Sequence, residues 1–234
     1  MTIFLSIDDT DSLDSRGTGR LARAIADRLS EDYPVQGVTR HQLFVHESIP
    51  FTSHNSCAVI HIGPSEEDHE DGIFIIARTM MKEDFIEGSD PGIAIARASA
   101  VTPAVIAFGR DAQRIVLTQE KARMIARNCS IRLEGLGGTE DGVIGAMAGL
   151  GLAATGCDGR YIQKGRIRDI QGPASARTLL SAGIDMILTL DGIPVSEGLI
   201  MVEEGKSVKA CPVSGKVVLF VEEREGAFYA VKRE

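Results

Sequence analysis

At 234 residues, 44% hydrophobic and 25% charged, the chain has room for one large domain or two smaller ones and the make-up of an ordinary globular protein. No apolar run reaches the about 18–20 residues that span a bilayer, and the first apolar stretch is short and has no basic leader, so the expectation is a cytoplasmic protein with no membrane contact. The net charge of −8 and the lack of any Lys/Arg block weigh against a stand-alone grip on nucleic acid, although Arg160, Lys164, Arg166 and Arg168 form a local basic stretch.

The chain begins with a strand pattern over Thr2–Ile7, rich in β-formers, which runs into a polar loop over 8–17. From Thr18, a candidate N-cap, Leu21, Ile25 and Leu29 recur at helical spacing with Ala22 and Ala26 beside them. Residues 37–47 and 56–62 read as two strands joined by a Pro50-containing loop. Ser65 and the acids behind it suit a helix start, with Ile73, Ile76, Ala77 and Met80 facing a core. Asp90-Pro91-Gly92 is a turn, and Ile93–Ala98 a strand. Residues 101–128 are expected to be helical with a break near Gly109 and a second start at Thr118 and Glu120, before a short strand at Ile131–Leu133. The segment VIGAMAGLGLAA reads as a helix in spite of its glycines. Gly142, Gly145, Gly149 and Gly151 cost helix propensity and make sense if a backbone or ligand packs closely against them. Beyond a short helix after Gly172-Pro173, strands are expected at Met186–Leu190, Leu199–Val202, Lys216–Val221 and Ala227–Lys232, forming a small antiparallel sheet or barrel-like appendage. The mixed order predicts an α+β (mixed α/β) protein.

Four constellations carry candidate chemistry. Asp8, Asp9 and Asp11 close the first strand, where ligands meet mixed sheets, and hard oxygen donors in a group suit Mg²⁺; the alternative is a solvated Asx-rich turn. Arg16, Gly17, Thr18, Gly19 and Arg20 open a helix, a place that binds anions through free amides and the macrodipole, but no G-x-x-x-x-G-K-[ST] pattern is present. Gly137, Gly138 and Thr139 again precede a helix, with Thr139 as a plain N-cap in the simpler reading. His41, His46, His54, His61 and His69 cluster in sequence without zinc spacing; His54 differs in sitting in the polar run Thr52-Ser53-His54-Asn55-Ser56. The four cysteines, Cys57, Cys129, Cys157 and Cys211, form no C-x-x-C pair, and no nucleophile elbow occurs.

Taken together, IDDTDS (7–12), IPFTSHNSCAV (49–59), DPGIAI (90–95) and GVIGAMAGLGL (142–152) resemble, in the same order, motifs of the archaeal tRNA agmatidine (2-agmatinylcytidine) synthetase family, an ATP-dependent RNA-modifying family. The resemblance covers about residues 3–155. It implies an ATP-using kinase-like domain, set at 1–117, followed by a ferredoxin-like α+β region with a β-rich tail at 118–234. It implies Mg²⁺ on Asp8, Asp9 and Asp11, with Thr52, Ser53, His54, Asn55, Ser56, Asp90 and Gly92 lining the same cleft; beside it, the reading of the helix starts and of the acidic segment adds Thr10, Ser12, Arg16, Gly17, Thr18, Gly19, Arg20, Gly137, Gly138 and Thr139 as candidate nucleotide contacts. The expected activity is Mg²⁺- and ATP-dependent phosphotransfer or ligation to a small-molecule or RNA acceptor. The alternative is a non-catalytic nucleotide- or RNA-binding module working with a partner in tRNA modification. The chain departs from the family pattern at Arg20, which matches a reactive threonine, and at Thr52 and His54, which match a Lys and an Arg. It also reads as a short form, without the family's oligonucleotide-binding fold and zinc ribbon.

Overall fold

The computed structural model describes residues 2–11, 17–49, 54–64, 69–203 and 207–232. The chain divides into two compact units, Met1–Thr155 and Gly156–Glu234. The boundary expected at 117/118 falls inside the first unit, between two helices that both pack on the glycine-rich helix.

In the first unit the elements follow the order β1 (Ile3–Asp8), α1 (Thr18–Leu29), β2 (Val35–Gln42), β3 (Ser56–Ile62), α2 (Glu70–Glu83), β4 (Gly92–Arg97), α3 (Pro103–Asp111), α4 (Gln119–Asn128), β5 (Arg132–Gly135) and α5 (Gly142–Ala154). The strands pair in the spatial order β5-β4-β1-β3-β2, and every neighbouring pair is antiparallel. Its first six elements make a split βαβ, the ferredoxin-like arrangement, in residues 3–97.

Strand parity sorts β1 onto two layers. Phe4, Ser6 and Asp8 face α5, and Phe4 joins Val59, Ala94, Met147 and Phe108 in one apolar cluster with α3 and α4. Ile3, Leu5 and Ile7, all buried, face the opposite way, and the amphipathic α1 and α2 pack there through Leu21, Ile25, Leu29, Ile73, Phe74 and Met81. Of the α2 positions expected in the core, Ile73 and Ala77 are buried and Ile76 and Met80 only half-buried; Phe74 and Met81 are buried instead, so the buried stripe is turned by less than one position from the expected one. Burying each such large side chain contributes about 1.5–3 kcal/mol.

Helix α5 is apolar on every side, as a helix must be when layers cover it on both faces. Its glycines are contact points. A Cβ at Gly142 would strike the backbone of Asp90 and Gly92, one at Gly145 would overlap the carboxylate of Asp8, and one at Gly149 would overlap Ser6 Oγ. Gly151 lies against the Val105 carbonyl of α3. Gly109 of α3 makes the reciprocal approach, since a Cβ there would end 2.8 Å from the Ala148 carbonyl. Gly109 therefore lies inside α3 as an approach point, and the break expected there comes later, over residues 112–118.

The second unit contains β6 (Arg160–Gln163), β7 (Ala174–Ser175), α6 (Ala176–Ser181), β8 (Met186–Thr189), β9 (Leu199–Met201), β10 (Cys211–Val213), β11 (Lys216–Arg224) and β12 (Ala227–Val231). Its sheet runs β10-β11-β12-β9-β7 with β8 on β11, around a core of its own that includes Ile187, Ile200, Leu219 and Val221. The tail is mixed rather than purely antiparallel, since β8–β11 and β9–β12 are parallel pairs. No described helix is long and apolar enough to cross a membrane.

Candidate functional site

Register brings the separate motifs to one end of the first sheet. Asp8 pairs with Gly92, Ile7 with Ala58, Gln42 with Ser56, and Gly92 with Gly135. That end therefore gathers the segment after β1, the segments flanking the β2–β3 connection, the turn before β4, and the loop between β5 and α5. Ser12, Arg16, Thr52 and Ser53 lie outside the described residues, as do the acids expected to open α2.

Asp8 is 9% exposed, held between β1's neighbours and the bare face of α5 at Gly145. Burial, followed by the charges of Asp9 and Asp11, pushes its carboxyl well above the usual range, against the pull of the Asp9 amide. Asp9 takes a left-handed backbone (φ 51°), a conformation that Asp tolerates better than most residues. Burial and the carboxylates of Asp90, Asp11 and Asp141 push Asp9 up to about 6. Five acids from three parts of the chain thus share one electrostatic neighbourhood.

Next to them, a hydroxyl relay runs from Thr10 to Thr18 to Asp11. Thr10 Oγ1 donates to Thr18 Oγ1 at 3.1 Å, and Thr18 Oγ1 donates to Asp11 Oδ1 at 3.1 Å. Both threonines are buried. Thr18 is therefore not the N-cap expected from sequence. Gly17, at φ 81°, occupies the cap position and brings no side chain to cap the helix, while the Thr18 hydroxyl is committed to the acidic segment. Gly19 is half-buried and Arg20 exposed on the first turn of α1.

Asp90 has a second task. Its Oδ1 accepts from the Thr139 amide, and its carbonyl accepts from the Gly142 amide at 2.9 Å. The Gly138 backbone sits against the same carboxylate, with φ 59° and no room for a side chain. From the other side, Gln119 of α4 donates to the Thr139 carbonyl and to Asp141, both at 2.7 Å, and Arg123 pairs with Glu140 at 2.5 Å. Thr139 is thus exposed and does not cap α5, whose cap position is Asp141. Gln119, Arg123 and Asp141 were missed from sequence: the i,i+4 spacing of Gln119 and Arg123 on α4 was visible, but nothing local pairs that helix face with a loop 20 residues on.

At the β2–β3 side, Asn55 donates to the Phe44 carbonyl at 2.7 Å, and its own carbonyl accepts from the Leu43 amide at 2.8 Å. It closes the connection. Ser56 Oγ accepts from Arg40 Nε at 2.7 Å, which places a cation absent from the sequence reading at this end; His54 is exposed. The histidines do not form a metal cluster: His41 and His61 instead share the buried Thr39 hydroxyl, each at 2.8 Å. More generally, no group of three or more His, Cys, Asp or Glu side chains among the described residues is arranged to hold a metal ion by itself.

No family model matches the chain, and no curated protein matches it. Solved structures do. The chain is similar to apo TiaS, a tRNA agmatidine synthetase, with a TM-score of 0.55 and 22% identity over 64% of this chain and 35% of that one. It is similar to the complex of TiaS with its isoleucine tRNA and ATP, with a TM-score of 0.56 and 24% identity over 64% of this chain and 36% of the other. The complex of TiaS with the same tRNA, AMPCPP and agmatine gives 0.55 and 21% over the same shares, 64% and 36%. The chain spans about a third of the length of these structures. What the likeness shows is the fold: an α+β protein built like part of TiaS.

Proposed function

We propose that this chain is an ATP-using phosphotransferase or ligase-like enzyme related to tRNA agmatidine synthetase, with a small molecule or an RNA as acceptor. The observation that supports it most is the meeting of the Asp8–Asp11 segment with Asp90 and the 137–142 loop at one sheet end, beside a helix start whose cap residue is Gly17. The solved likeness contains ATP, AMPCPP, agmatine and tRNA in its complexes, which supports the same substrate classes here.

The donor set fits Mg²⁺ of one kind. Carboxylate oxygens of Asp8, Asp9 and Asp11 are hard ligands, but they do not form a closed cage. Mg²⁺ commonly uses one or two carboxylates and completes its shell with water and phosphate, so an ion entering with the nucleotide suits this arrangement. When bound, such an ion offsets charge on the phosphates and the crowding of the acids. The chain's own contributions follow from its residues. The amides of Thr18 and Gly19 at the start of α1 and the exposed Arg20 meet phosphate oxygens. The Thr10–Thr18 relay holds Asp11 in one orientation. The Asp90–Thr139 bond fixes the 137–142 loop as a wall. Positioning and charge complementarity of this kind supply most of the rate in phosphoryl transfer.

Thermal melting with ATP, Mg²⁺, and both together tests the reading. The expected result is a stabilisation that needs both and is lost in Asp8→Ala; at a concentration 100 times Kd it amounts to about 2.7 kcal/mol. No shift at millimolar Mg·ATP sinks the proposal. One observation favours binding without turnover: Arg20 stands where the family resemblance puts a reactive threonine, and Thr18 is buried in its relay. Release of ADP or AMP in the presence of cell extract, absent in Asp8→Ala, decides for the enzyme.

A further inference from the structure

Among the described residues, Phe85 is the aromatic member of the exposed large apolar side chains, at 44% exposure. Several half-buried rings have companions. Phe44 stacks with His46, Tyr33 meets His69, and Arg224 lies over Tyr229. No described ring or cation covers Phe85.

Its position is fixed by the loops that build the site. Phe85 follows the end of α2, and the turn behind it is tied by the Ser89 amide and hydroxyl to the Ile86 carbonyl at 3.1 and 2.7 Å. The next residue, Asp90, carries the bond to Thr139. The edge of the Phe85 ring rests on Gly137, where a Cβ would end 2.5 Å from Cε2. A side chain at 137 would displace the ring. A partly exposed aromatic ring thus stands on the loop pair that places Asp90 against Asp9, on the β4–β5 flank of the sheet end.

We propose that Phe85 is the stacking surface for the nucleobase of the bound nucleotide. The inference rests on the nucleotide reading above and adds the place of the base. The acids and the α1 start account for a phosphate end, but they give a planar ring no partner. Phe85 supplies one on an apolar face that tolerates any base, since stacking needs only a π-surface. It acts by binding; no reacting atom meets it.

The chain has no tryptophan, so Phe85→Trp introduces a single fluorescent reporter at the proposed contact. Binding of Mg·ATP and of Mg·tripolyphosphate is measured by calorimetry for the wild type, Phe85→Leu and Phe85→Trp. Phe85→Leu keeps an apolar contact on Gly137 and removes the ring. The expected result is about a tenfold or greater loss of ATP affinity in Phe85→Leu, tripolyphosphate affinity unchanged, and quenching of Phe85→Trp fluorescence by ATP but not by tripolyphosphate. Equal ATP affinity in the wild type and Phe85→Leu overturns the proposal while leaving the nucleotide reading intact. So does an equal loss for both ligands, which would mark a disturbed loop. Wild type that binds neither ligand overturns the nucleotide reading itself.

Discussion

Asp9 carries the clearest thermodynamic consequence of the site. Its folded pKa, about 6, lies above the ordinary value of 3.8. Below about pH 4 the folded and unfolded forms are both protonated and no penalty exists. Between about 4 and 6 the unfolded chain releases its proton while the folded one keeps it, so stability falls as pH rises, and above 6 the full cost remains. Asp9→Asn is therefore expected to stabilise the metal-free protein by about 1–2 kcal/mol at pH 7.5, after allowance for screening, with the gain vanishing near pH 4. Urea unfolding at the two pH values measures it; an equal effect at both would remove charge as the cause. Asp8 shifts in the same direction, and removing either carboxylate should abolish the Mg²⁺-dependent part of nucleotide stabilisation. The acids were legible in the sequence as a cluster. Their distribution of tasks was not: Asp90 reads as a turn residue until the Thr139 amide comes to it from 49 positions away, and Thr18 reads as a cap until its hydroxyl meets Asp11.

Among the elements, α5 sets the geometry of the site through what it lacks. Gly145→Ala puts a methyl group into the space of the Asp8 carboxylate. The expected cost is at least the about 1–3 kcal/mol of an overpacked core, with loss of Mg·ATP binding. Combining it with Asp8→Ala should return part of the stability but none of the binding, which denaturation and calorimetry separate. Gly151→Ala, pressed on the Val105 carbonyl, should destabilise to a similar degree through the α3–α5 crossing alone. The sequence announced this helix by its small residues and the need for close approach, but not which glycine met which partner. Helix α2 shows the opposite case: its period and two of its expected core positions, Ile73 and Ala77, hold, while the buried stripe is turned by less than one position, so that Phe74 and Met81 are buried and Ile76 and Met80 only half-buried.

At the scale of the whole molecule, α+β architecture was readable from the alternation of strand and helix patterns. The division at Thr155 was not, since no Pro- or Ser-rich linker marks it. Two units with separate cores are expected to give two calorimetric transitions, of which Mg·ATP moves the one belonging to residues 1–155. A single transition shifting as one would show that the units melt together. The register of the first sheet has a practical side as well. Every motif loop leaves from the end where Asp8 meets Gly92, whereas Val35 and Ile3 both meet Ile62 at the other. The turn before β2, with Glu31 and Asp32 exposed, belongs to that far end. A dye, an affinity handle or a surface tether attached there leaves the end with the acids and the 137–142 loop open, and makes single-molecule tests of nucleotide and acceptor binding possible on one immobilised protein.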